Sequence, residues 1–122
     1  MVASVSLFAA MNLQEMHRNY SSCCVDLTDP YFPVLLMTFD QTMDETDKPG
    51  LLDFEGTDSV GNPVDVQVIA WDSSTTLRTH LAITNGSTLS VFRFLGPLPS
   101  LKTLSGIVQD KFTISNFPAC PW

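Results

Sequence analysis

Two runs of alternating side chains constrain this chain most. Residues 64–71 and 88–94 alternate apolar and polar side chains, the pattern of a strand with one buried face. Val60-Gly61-Asn62-Pro63 precedes the first run and Asn85-Gly86 precedes the second, and both are turn sequences. The centre of the chain is therefore predicted to be β-sheet with tight turns.

The remaining patterns extend this to an all-β domain. Strands are predicted at 34–40, 51–56, 63–71, 87–95 and 108–115. In the third strand, Val64, Val66 and Val68 are expected to point inward, with an irregularity near Ile69 that shifts the phase. Between the third and fourth strands we expect a short helix, because Leu77 and Leu81 stand four residues apart and would share one helical face.

The domain organisation follows from length and composition. A chain of 122 residues with 44% hydrophobic residues can bury one core. The prediction is an N-terminal extension at 1–33 with a helix in 4–20, a barrel at 34–117 and a tail at 118–122. The apolar start, Val2 to Met11, lacks the positive charge of a secretory leader, and no apolar stretch is long enough to span a membrane.

Net charge limits the partners. The formal net charge is −7 and the sequence pI is about 4.4, which is unfavourable for holding phosphates, since such binding depends on Lys and Arg. Arg93, Lys102 and Lys111 nevertheless fall in the C-terminal third and could form a local basic edge.

The cysteines favour a reducing compartment. Cys23, Cys24 and Cys120 are an odd number without zinc-ligand spacing, so neither a disulfide framework nor a structural metal is indicated. The predicted localisation is intracellular, including the nucleus. Two glycosylation sequons, Asn19-Tyr20-Ser21 and Asn85-Gly86-Ser87, keep secretion open, and in that case Cys23 or Cys24 could pair with Cys120.

The central pattern resembles a known family. Residues 58–62 form an acidic and glycine-containing turn, Val66 to Trp71 form a strand that ends in an aromatic residue followed by Asp72, and Gly86 precedes the next strand. With the closing strand Phe112 to Asn116, residues 51–96 and 110–117 resemble the OB-fold domains of the replication protein A large subunit and its relatives. The resemblance implies a five-stranded OB barrel with a short helix between strands three and four.

The resemblance also implies single-stranded DNA as ligand, within a DNA replication or repair complex. In such barrels the nucleic acid lies between the loop joining strands one and two and the loop joining strands four and five, with bases stacked on aromatic rings. The matching loops here are 40–50 and 95–108. The implied site residues are the cations Arg93, Lys102 and Lys111 and the rings Phe92, Phe94 and Phe112.

Two other function classes stay open. An acidic OB barrel could instead be a protein-interaction subunit, docking through Val5, Phe8 and Met11 and through the C-terminal Trp122. Short alternating strands and two sequons would also suit a small β-sandwich of a capsid or a secreted protein.

No enzymatic pattern is found in the sequence. His17 and His80 are the only histidines, and no nucleophile elbow, phosphate loop or dinucleotide fingerprint occurs. The acidic residues 40–47 and the trio Asp53, Glu55 and Asp58 lack calcium-loop spacing. We therefore expect a non-enzymatic binding module without a cofactor or metal.

Overall fold

The computed structural model describes residues 20–122. The helix predicted before Tyr20, and with it Val5, Phe8 and Met11, lies outside the described residues. The described chain is all-β, with seven strands, one 3-10 turn and no α-helix within residues 20–122. The strands are β1 Tyr20–Asp26, β2 Val34–Phe39, β3 Phe54–Asp58, β4 Pro63–Ser73, β5 Thr76–Ala82, β6 Leu89–Phe94 and β7 Phe112–Ile114, and the 3-10 turn is Leu51–Asp53.

The strands form a nearly closed antiparallel barrel with the order β1-β2-β5-β4-β3-β6-β7. All six neighbouring pairs are antiparallel. Each of the six antiparallel pairings reverses the strand direction, so β1 and β7, at the two ends of this order, point in the same direction. We call the place where these two edge strands meet the seam. An isolated bridge between Val25 of β1 and Ala119, which lies in the segment after β7, is also parallel.

The helix predicted around Leu77 and Leu81 is wrong, because this segment is strand β5. Leu77, Thr79 and Leu81 are fully buried and alternate with partly buried residues. A spacing of four fits both one helical face and one strand face, and β5 lies between β2 and β4, where both of its edges are paired. The β-branched threonines of this segment favour the strand.

Four of the five predicted strands match observed strands with shifted ends, and the segment 51–56 is divided between the 3-10 turn and β3. The phase shift predicted near Ile69 occurs slightly earlier, between Val66 and Val68. As a result Val68 is 47% exposed whereas Ile69 is buried. Strand β1 was not predicted, and it extends the barrel into the segment assigned to the N-terminal extension.

A disulfide holds the seam between the two edge strands. Cys24 in β1 is bonded to Cys120, which follows β7. Beside it, the Val25 amide donates to the Pro118 carbonyl at 2.8 Å and the Cys120 amide donates to the Val25 carbonyl at 3.0 Å. From the cysteine pattern we expected no disulfide framework, and the bond between Cys24 and Cys120 corrects this expectation. Of the two pairings left open, the structure has Cys24 with Cys120, and Cys23 is a free thiol.

One end of the barrel is filled by loops, and we call it the plugged end. There the loops 40–50 and 95–111 are bonded to each other, since the Asp44 amide donates to the Lys102 carbonyl and the Leu104 amide donates to the Thr42 carbonyl, each at 2.9 Å. Met43, Leu101, Thr103 and Gln109 from these loops are buried. The space predicted to be a nucleic-acid groove between the two loops is thus occupied by the loops themselves.

At the opposite end of the barrel the loops leave an open hollow. We call this end of the barrel the groove end. It is formed by the β1–β2 loop, the β3–β4 turn, the β5–β6 loop and residues 115–120. No helix among residues 20–122 is long and apolar enough to cross a membrane.

Candidate binding surfaces

The structure brings part of the predicted nucleic-acid site together in one cleft. Arg93 and Lys111 line a cleft of about 570 Å³ beside β6 and β7, together with Phe94, Leu95, Phe112 and Thr113. The register explains this, because Arg93 pairs with Thr113 and Phe94 pairs with Phe112. We call this surface the cationic cleft.

Two of the three aromatic rings of the predicted site are packed in the hydrophobic core. Phe92 and Phe94 are buried and stack or tilt against Phe54, with ring centroids 5.2 and 5.3 Å away. Neither ring can stack on a base while the core stays closed. Phe112 is partly buried, and Tyr20 covers one of its faces at a centroid distance of 4.4 Å. Burial and, after it, the neighbouring Cys23 thiol raise the pKa of Tyr20, so its hydroxyl stays neutral in this contact.

The cations of the predicted site have acidic neighbours. Arg93 forms an exposed ion pair with Glu55 on the adjacent strand at 3.3 Å. Lys111 follows Asp110, whose carboxylate accepts its backbone amide at 2.8 Å. Lys102 is not in the cationic cleft but in the plugged end, where its charge helps to lower the pKa of Asp44 after the larger effect of the Thr46 hydrogen bonds. The cationic cleft therefore has two of the three predicted cations.

The groove end holds a hollow that sequence analysis did not identify. It has a volume of about 490 Å³ and we call it the apolar groove. Its apolar lining residues are Val25, Leu27, Pro30, Pro33, Ile83, Leu89 and Phe117, and its hydroxyl-bearing ones are Ser59, Ser87, Thr88, Ser90 and Ser115. No charged side chain is among these lining residues. Such a surface suits an apolar occupant that has a few hydrogen-bonding groups.

The rim of the groove end carries large exposed apolar side chains. Leu27, Tyr31 and Phe32 in the β1–β2 loop are each about half exposed, and Trp122 is 74% exposed. The Trp122 indole donates to the Asp26 carboxylate at 3.4 Å, and Asp26 lies between the groove-lining residues Val25 and Leu27. The Thr28 hydroxyl and amide, followed by this indole, lower the pKa of Asp26. Trp122, predicted from the sequence as a partner anchor, is therefore held at the end of β1 and is not among the residues that line the apolar groove.

A buried aspartate builds the β3–β4 turn at this end. Asp58 is 4% exposed, and its carboxylate accepts the Asn62 amide at 2.8 Å, the Asn85 side-chain amide at 2.9 Å and the Val60 amide at 3.0 Å. Burial alone would raise its pKa, but the hydrogen bonds from Asn85, Asn62, Ser87 and Val60 together lower it. Asp58 thus joins the β3–β4 turn to the β5–β6 loop.

Asp53, Glu55 and Asp58, the acidic trio considered as a cation site, each interact with a different partner. Asp53 accepts the Gly50 amide at 2.6 Å, Glu55 pairs with Arg93, and Asp58 is engaged in its turn. Within residues 20–122 no group of three His, Cys, Asp or Glu side chains could hold a metal ion.

Comparison with known proteins gives no family for this chain. No protein-family model matches the sequence, and no curated protein matches it either. The established description is therefore a nearly closed antiparallel barrel of seven strands, and the resemblance to the OB fold gains no support from these comparisons.

Proposed function

We propose that this chain is a non-enzymatic interaction module that binds an apolar segment of a partner protein in the apolar groove. The observation that supports this is the groove lining, which combines an apolar wall with hydroxyl groups and has no charged side chain. An extended segment could place apolar side chains against Leu27, Leu89 and Phe117 and direct its main-chain groups to the serine hydroxyls.

The exposed rim adds to this proposal. Exposed aromatic and aliphatic side chains are frequent in interaction surfaces, and aromatic anchors contribute much of the binding free energy. Leu27 lines the groove and is half exposed, and Tyr31 in the same loop and Trp122, which contacts Asp26, are further exposed aromatic side chains. The disulfide between Cys24 and Cys120 further supports an oxidising compartment as the place where the module works.

The experiment is a selection of displayed random peptides on the full chain, with the disulfide intact. We expect enrichment of apolar, extended sequences, and loss of their binding on Leu27→Asp. Leu27 is half exposed, so this change should leave the fold intact. The matched control is Leu52→Asp, because Leu52 is 92% exposed and lies in the 3-10 turn at the other end of β3. Equal binding to both variants, or no enrichment, would reject the groove.

A second candidate is single-stranded DNA binding in the cationic cleft. The specific observation in its favour is that Arg93, Lys111 and Phe112 line the same cleft. With two cations available, the slope of log K against log salt concentration should be shallow, about −1.4.

Fluorescence anisotropy with a labelled oligonucleotide at low and moderate salt tests this candidate. If the cleft binds DNA, Lys111→Glu abolishes binding, whereas Lys102→Glu at the plugged end weakens it much less. Absence of binding at both salt concentrations rejects it. Equal losses for the two lysine variants would show a diffuse electrostatic contact instead of a site in the cleft.

A further inference from the structure

We propose that Asn85 is an acceptor for an N-linked glycan when the chain is made in a secretory pathway. The inference rests on the β5–β6 loop and on the disulfide, and it is independent of the proposed occupant of the apolar groove. Asn85-Gly86-Ser87 has the acceptor sequence, in which a hydroxyl residue stands two positions after the asparagine.

The loop presents this tripeptide to solvent. Asn85 and Gly86 are exposed between β5 and β6. Gly86 has a φ of +80° and no heavy atom lies within 4 Å of the place where its Cβ would be, so the tip of the loop projects away from the barrel. A bulky sugar chain can be accommodated only at such a surface position.

The local hydrogen bonds are compatible with a modified side chain. The Asn85 side-chain oxygen Oδ1 accepts the Ser87 hydroxyl at 2.5 Å and the Ser87 amide at 3.1 Å, which holds the loop in a compact turn. The Asn85 Nδ2 donates to Asp58 at 2.9 Å. Since Nδ2 carries two hydrogens and a glycosylated asparagine keeps one, an N–H remains on Nδ2 that can donate to Asp58.

The disulfide is the second, independent observation. The bond between Cys24 and Cys120 closes the barrel seam, and disulfides of this structural kind form in the compartments where secreted proteins fold. Asparagine glycosylation takes place in the same pathway. A chain that acquires this disulfide there also exposes its sequons to the glycosylation machinery.

The modification is a group transfer from a lipid-linked oligosaccharide pyrophosphate. A bond forms between Asn85 Nδ2 and the anomeric carbon of the sugar, while the bond from that carbon to the pyrophosphate oxygen breaks. The lipid pyrophosphate leaves and Nδ2 loses one proton to a base. Asn85 lines a smaller hollow with Phe32 and Asp58 and not the apolar groove, so the sugar would stand beside the groove and not within it.

The test is expression of the full chain behind a cleavable leader in cultured animal cells, with mass spectrometry of the secreted protein before and after peptide N-glycosidase treatment. We expect a sugar mass that the enzyme removes, with residue 85 converted to aspartate. Asn85→Gln and Ser87→Ala should each abolish the modification at residue 85, and Ser87→Thr should retain it. Ser87→Ala keeps the bond from Asn85 to Asp58, so it serves as the second variant if Asn85→Gln folds poorly.

The second sequon supplies the control. Asn19→Gln should leave the sugar on residue 85 in place. Secreted, disulfide-bonded protein whose residue 85 is recovered only as unmodified asparagine overturns the proposal, and so does a sugar mass that disappears entirely with Asn19→Gln.

Discussion

The two ends of the barrel are closed in different ways. At the plugged end, the loops 40–50 and 95–111 are joined by main-chain hydrogen bonds and by buried side chains such as Met43 and Leu101. At the groove end, the loops are also joined by main-chain hydrogen bonds, such as that from the Ser59 amide to the Thr88 carbonyl at 2.8 Å, and in addition by the Asp58 carboxylate and the disulfide of Cys24 with Cys120.

The buried side chains of the plugged-end loops explain why the apolar groove lies at the other end of the barrel. At the plugged end, the loop side chains Met43, Leu101, Thr103 and Gln109 are buried and fill the space between the loops. At the groove end, the Asp58 carboxylate and the disulfide fix the loops in place and a hollow remains between them. The groove end should therefore depend on a few individual residues, whereas the plugged end depends on packing.

Removal of the disulfide should have the largest effect. The bond joins residues 96 positions apart, and in the chain-entropy model a closed loop of this size stabilises the fold by on the order of 4 to 5 kcal/mol. Cys24→Ala with Cys120→Ala should lower the free energy of unfolding by about that amount, as measured by urea denaturation. Reductant should have the same effect on the wild type, whereas Cys23→Ala should keep the stabilising bond. A wild type whose midpoint does not change with reductant would contradict the role of the seam.

Leu101→Ala tests the plugged end and should have the next largest effect. Leu101 is fully buried, so its truncation leaves a cavity and should cost about 3 kcal/mol in urea denaturation. Leu104→Ala is the matched control, because Leu104 is 70% exposed in the same loop, and its cost should stay within about 0.5 kcal/mol. Equal costs for the two variants would mean that the loop does not fill the barrel.

The pH dependence of stability tests the Asp58 turn and should be smaller. Because the folded pKa of Asp58 is lowered, its contribution is complete above the unfolded pKa of about 3.9 and is lost as the pH falls through the lowered folded value. Thermal melts over this acid range should therefore show a steeper loss of stability for the wild type than for Asp58→Ala. Parallel curves for the two proteins would show that the carboxylate is not what holds this turn.

The sequence predicted the largely alternating strands and also β2, whose residues Val34 to Met37 are all apolar, and it missed β1 and β5. The strands at Val64 to Trp71 and Leu89 to Phe94 were found because polar and apolar side chains alternate over much of their length. Strand β1 contains Ser21, Ser22, Cys23 and Cys24, which have no strong apolar pattern, and one edge of this strand is closed by the disulfide and the C-terminal segment.

Strand β5 shows a different limit. Its spacing of Leu77 and Leu81 fits a helix as well as a strand, and only its pairing with β2 and β4 decides between them. Long-range pairing is not visible in a local pattern, which is also why the choice of Cys24 over Cys23 could not be made from the sequence.

The candidate sites could be predicted only in part. Arg93, Lys111 and Phe112 line one cleft, because Arg93 lies in β6, Phe112 lies in the adjacent strand β7 and Lys111 directly precedes β7, but their role in binding nucleic acid stays a prediction. Phe92 and Phe94 could not be assigned to the core or the surface, since alternation does not say which face is outside. The apolar groove was missed entirely, because its lining residues come from loops that are distant in sequence.

The ion pair of Arg93 and Glu55 should give the smallest effect, and it tests whether Arg93 is available in the cationic cleft. Both side chains are about half exposed, so a double-mutant cycle with Arg93→Ala and Glu55→Ala should give a coupling energy at the low end of about 0.2 to 1 kcal/mol, decreasing with added salt. A weak coupling leaves Arg93 available to a phosphate in the cationic cleft. A coupling well above 1 kcal/mol would mean that Arg93 is held by Glu55 and is less available to a phosphate, which would count against the cationic cleft as a nucleic-acid site.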